Sequence, residues 1–169
     1  MAHRYEDIYT ELLEAVPELR TRIEAQIEEP NGWERELKRA GQDYSEADLE
    51  YLRQISAPET QSKKQDPLVY VFFESELCPL ISGYAQRAEQ EEPFDRLHDI
   101  MDWVEELAQS DDQRTRNLVL IGICETLLGN EKYRIHYILP FMGEATQQMC
   151  RELLPHFRVP DKVRIYLTT

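Results

Sequence analysis

The sequence predicts an all-α protein, an antiparallel helical bundle or an α–α superhelix. Three observations carry this. Apolar residues recur at three- and four-residue steps through most of the 169-residue chain, one apolar run from Leu118 to Leu128 is long enough for a buried helix, and no two segments of strand quality stand ready to pair. At this length one domain with a helical N-terminal extension is the simplest organisation: residues 1–55 helical, 56–66 a polar linker, 67–169 the helical core.

From the start, Tyr5 to Ala15 and Pro17 to Glu29 read as two helical segments, with Ile8, Leu12 and Leu13 on one side of the first and Leu19, Ile23 and Ile27 on one side of the second. Pro17 marks the bend, since a proline breaks a helix interior but is tolerated in a first turn. Pro30, Asn31 and Gly32 signal a turn, and Trp33 to Ala40 is a short amphipathic piece. Ser45 with Asp48 three residues on is a relative of the capping box. Ser56 to Asp66, SAPETQSKKQD, has no apolar anchor and is expected to be an exposed linker.

Pro67 opens the most apolar stretch. Val69 to Phe73 favour strand by propensity, but lacking a partner strand they are read as helix, which Pro79 should kink or split. Pro93 to Gly129 is the organising hairpin. Phe94, Leu97, Met101, Val104 and Ala108 form its first apolar stripe, and Asp95, Asp99, Asp102 and Glu106 fall on the opposite line. Ser110 is the expected cap of the second helix, with Asp111 and Asp112 at its positive end and Gly129 as its left-handed stop. Lys132 to Leu139 is a short helix or extended piece, Glu144 to Leu154 a helix, and the closing VRIYLTT an extended segment pinned to the body.

Charge narrows the partners. With 19 Lys and Arg against 33 Asp and Glu, the net charge is −14, and both halves of the chain are acidic. Nucleic-acid phosphate and anionic lipid would be repelled, whereas a basic protein would be attracted. No apolar run reaches the ~20 residues of a membrane span, and the start is charged, unlike a signal peptide. Cys78, Cys124 and Cys150 are odd in number and far apart, which suits free thiols in a reducing cytoplasm.

Linear motifs for chemistry are lacking. The four histidines lie on different segments, HExxH and GxSxG are absent, and no glycine-rich phosphate loop is seen, so neither metal nor cofactor is expected. His98, beside Asp99, reads as a surface histidine paired to an acid. Carboxylates on the outer line of an amphipathic helix keep ordinary acidity and suit recognition better than catalysis. Asp95, Asp99, Asp102 and Glu106 are therefore candidate partner-binding residues, with Trp103 nearby either an interface anchor or packed on the neighbouring helix. Glu125 is a candidate buried polar site, set among Ile121, Gly122, Cys124 and Leu128; Arg116, Arg134, Tyr133 or His136 is expected to pair with it.

The turn Asp112-Gln113-Arg114-Thr115-Arg116 resembles the Asp-x-x-Val-Arg pattern opening the second helix of HEAT-type repeats, with Thr115 in place of valine, over about one repeat. More broadly, the acidic helix, SDD turn and LVLIGICETLLG helix, roughly residues 66–130, look like small helical immunity proteins of bacterial contact-dependent and Rhs-type toxin systems. That resemblance implies a non-enzymatic cytoplasmic inhibitor whose acidic surface caps a basic toxin domain. The alternative is an α-solenoid-like scaffold or adaptor holding a peptide or protein subunit.

Overall fold

A computed structural model describes residues 3–22, 45–47, 49, 50 and 67–169. The expected Pro30–Gly32 turn, the Trp33 segment and the 56–66 linker lie outside the described residues. Every regular element among the described residues is helical, in keeping with the expected all-α class, and no described helix is long and apolar enough to cross a membrane.

The chain opens with a 3-10 turn, Tyr5–Asp7, leading into α1 (Ile8–Ala15). Ile8, Leu12 and Val16 are fully buried, so this segment completes the core instead of extending from it. Its entry is held by the turn at residues 110–115: the Ser110 and Thr115 hydroxyls donate to the His3 carbonyl at 2.6 and 3.0 Å, and the Tyr5 N–H donates to Asp112 at 3.1 Å. Its exit is held by Arg96, whose guanidinium forks onto both Glu18 oxygens at 2.8 and 3.0 Å and donates to the Ala15 carbonyl at 3.1 Å.

Next comes a long helix made of α2 (Pro67–Phe72), a π-helical stretch (Phe73–Leu77) and α3 (Cys78–Ala85). The expected kink at Pro79 takes the form of this π stretch, in which the Cys78 N–H reaches the Phe73 carbonyl five residues back. Continuing that pattern, residue 79 would donate to the Glu74 carbonyl, and proline cannot. The Tyr133 hydroxyl donates to that carbonyl instead, at 3.4 Å.

The hairpin follows as α4 (Glu91–Ala108) and α5 (Gln113–Val119), the latter running through a second π stretch (Leu120–Glu125) into α6 (Thr126–Gly129). Two expected caps differ. Asp112, not Ser110, caps α5: it is the extended residue directly before Gln113 and accepts from the Arg114 N–H at 2.9 Å, while the Ser110 oxygen, two residues earlier, accepts from the Asp112 N–H at 3.1 Å. Gly129 is not a left-handed stop: Asn130 after it is extended, and a Cβ on Gly129 would sit 3.1 Å from the Phe157 ring, so the glycine serves close approach. The two π stretches pack on each other, with Gly122 against Phe73 and the Cys78 thiol donating to the Gly122 carbonyl at 3.3 Å. All three cysteines are free and buried.

Three 3-10 turns (Glu131–Tyr133, Ile135–Tyr137, Leu139–Phe141) lead to α7 (Glu144–Leu153), and α8 (Asp161–Thr168) closes the chain. The tail is thus helical where an extended segment was expected. Val163 and Leu167, four residues apart, are buried on one face, and Arg151 of α7 donates to the Leu167 carbonyl at 2.8 Å, satisfying an end that a short helix leaves open. Helix α7 has no capping side chain of its own. Glu105 of α4 supplies one, accepting from the N–H groups of Ala145 and Thr146 at 2.7 and 3.0 Å and from the Thr146 hydroxyl at 2.6 Å.

Candidate functional site

The 18-residue α4 buries Leu97, Ile100, Met101, Val104 and Leu107 and turns Asp95, Asp99, Asp102 and Glu106 to the exterior, where all four are exposed. Spacings of four, three and four residues keep them on one line of the helix. They are not equally free. Asp99 meets Arg96 at 3.0 Å, and Glu106 lies 3.4 Å from the His3 ring, itself bonded to Glu11 at 2.6 Å. Among the described residues, Asp95 and Asp102 have neither a hydrogen-bond nor an ion-pair partner.

Trp103 does not stand among these acids as an anchor. It is buried, with its ring 6.2 Å from that of Phe73, because position 103 falls beside the inward stripe of Ile100 and Leu107. Among the described residues His98 likewise has no acidic partner. It stands at 4.6 Å from Phe94 and 4.9 Å from Phe141, within a three-ring cluster completed by Phe94 and Phe141 at 5.5 Å.

Glu125 ends the second π stretch and is half-buried. None of Arg116, Arg134, Tyr133 and His136 pairs with it: Arg116 turns back to the Ser110 carbonyl and Gln113, Tyr133 to Glu74, and His136 to Lys162. Its neighbour is instead a second acid, Glu74. Burial, and secondarily the charge of Glu125, hold the Glu74 carboxyl above the usual carboxylate range. Next to it the Ser75 hydroxyl is buried with no hydrogen-bond partner among the described residues. The only sequence signal for this polar patch was Glu74-Ser75-Glu76 interrupting an apolar helix just before Pro79. Among the described residues no group of three or more His, Cys, Asp or Glu converges.

The arrangement therefore offers an exposed acidic line on a rigid helix, able to meet cations without rearrangement, and a recessed carboxylate pair at the contact of two π stretches. No curated protein and no solved structure matches the chain. A family model described as a domain of unknown function (DUF7674) matches residues 9–158, from α1 to just beyond α7, and the chain belongs to that family.

Proposed function

We propose that this protein acts by binding another protein, as a non-enzymatic cytoplasmic inhibitor that caps a basic domain with the acidic line of α4. The observation that carries the reading is the exposed, unpartnered state of Asp95 and Asp102, in line with Asp99 and Glu106, on a helix whose other face is locked into the core. Carboxylates held in water contribute little affinity singly, but a row of one sign on a chain of net charge −14 speeds encounter with a basic partner. The partner class follows from the resemblance to immunity proteins: a bacterial toxin domain, neutralised by occlusion.

The test begins with capture of partners by the full chain and their identification by mass spectrometry. One stoichiometric basic toxin domain supports inhibition, while a set of unrelated subunits supports the scaffold reading. With the partner in hand, Asp95→Asn combined with Asp102→Asn should slow association roughly tenfold at low salt and flatten its salt dependence. Association that is unchanged at every salt concentration removes this face from the interface.

A further inference from the structure

A cleft of about 210 Å3 opens where the end of α6, the 3-10 turns after it and the start of α8 meet, and none of its lining residues belongs to α4. In a chain so rich in acid, its wall is basic: Arg134, His136, Arg158 and Lys162 line it, with Glu131 as the one carboxylate. Glu131 forms no ion pair with any of them. Elsewhere arginines are spent on internal bonds, Arg96 on Glu18, Arg114 on Asp112 and Arg151 on Glu144. Among the described residues, Arg134 and Arg158 make no side-chain hydrogen bond or ion pair.

Lys162 donates to His136 Nε2 at 2.9 Å, so the imidazole is neutral there and carries its proton on Nδ1. Burial, and then the charges of Lys162 and Arg134, hold the His136 pKa below its ordinary value, as a positive field should. Arg134 also has the one left-handed backbone among the described non-glycine residues, at φ 48° and ψ 54°. An arginine there strains the chain where glycine would relax it, without any internal bond from its guanidinium in return.

We propose that this cleft binds a small phosphate monoester. Arginine forks and a lysine match phosphate oxygens, and three cations facing one carboxylate suit a dianion. Leu127, Leu128 and Val163 give the cleft an apolar floor for a short carbon skeleton. Its volume lies below the ~300 Å3 at which drug-sized pockets begin, which suits a short ligand.

The full chain is titrated with glycerol 3-phosphate, inorganic phosphate and malate by calorimetry and amide NMR. Glycerol 3-phosphate should saturate with a Kd of about 1 mM or tighter. Inorganic phosphate should bind more weakly, for want of a carbon skeleton, and malate more weakly still. Arg158→Gln and Lys162→Gln, both at exposed positions, should weaken binding at least tenfold with the melting temperature unchanged. Arg134→Gly should raise the melting temperature while weakening binding, an opposition that a merely structural arginine would not show. Failure of glycerol 3-phosphate to saturate by about 10 mM, or saturation that survives these substitutions, overturns the site. Malate binding as tightly as glycerol 3-phosphate overturns the phosphate assignment, and inorganic phosphate binding as tightly overturns the organic ligand.

Discussion

Glu105 and Gly143 form a coupled pair whose energetics can be worked from the coordinates. The Glu105 carboxylate accepts from Ala145 N–H, Thr146 N–H, the Thr146 hydroxyl and the Gln109 amide, the first two of these bonds closing the open end of α7. Glu105→Ala removes an N-cap, worth about 1–2 kcal/mol, and strands the Thr146 hydroxyl, a fully buried residue, for about another 1–2 kcal/mol. A loss of about 3 kcal/mol is expected in urea denaturation, a fall of roughly 6–12 °C in Tm for a chain of this size. Gly143→Ala acts through the same carboxylate. Its Cβ would lie 2.3 Å from Glu105 Cδ, so the carboxylate must leave the helix end, for about 2–3 kcal/mol. In the Glu105→Ala background that clash is gone, and because Gly143 has φ −74°, open to any residue, alanine should be neutral or stabilising by up to about 1 kcal/mol. The cycle thus predicts a coupling of about 2 kcal/mol or more. Costs that add to within about 0.5 kcal/mol would refute the capping role.

Acid should act on the same groups. Burial pushes the Glu105 pKa up, but the bonds from Thr146, Ala145 and Gln109 outweigh it and hold it below 4.5, so its contribution is complete above that pH and lost as pH falls through the lowered value. Asp112 follows the same sign: burial is outweighed by Arg114 and the Tyr5 N–H, bringing its pKa down from 3.8 to about 2. Asp112→Asn, which keeps a capping oxygen, should therefore flatten the stability lost between those two values in an acid titration followed by circular dichroism. Gly122→Ala brings a Cβ to 3.3 Å from Phe73 Cβ, a fully buried residue with little room to yield, and should cost about 1 kcal/mol by chemical denaturation. Arg134→Gly should gain about 1 kcal/mol in the same assay by relaxing the left-handed backbone.

What was legible in the sequence is what three- and four-residue spacing encodes. The α4 stripe from Leu97 to Leu107 and the exterior line of four acids follow from local pattern, and so does the burial of Cys124, whereas the helical state of residues 68–73 runs against local propensity and is read from the lack of a partner strand. Features set by distant partners were not legible. Ser110 has the chemistry of a cap, but its second role, donating its hydroxyl to the His3 carbonyl 107 residues away, leaves no local signal. Gly129 looked like a helix stop because Phe157 cannot be seen beside it in the sequence. The VRIYLTT tail has strand-like composition, and it packs as a helix against α7 and the Ile135–Tyr137 turn. The π stretches leave no mark on an apolar run, and Arg134, His136, Arg158 and Lys162 are too scattered for a motif to reveal their cleft.

Synthesis on the ribosome gives the Ser110–His3 clasp a temporal meaning. Translation at roughly 5–20 residues per second leaves the first strap waiting on the order of 5–20 s before its receptor has been made. Ile8, Leu12 and Val16, fully covered in the finished protein, lack during that interval the turn that clasps their segment. The nascent chain therefore carries this apolar segment without its clasp until about another hundred residues have been added, a window in which a chaperone, or another nascent copy, has first access.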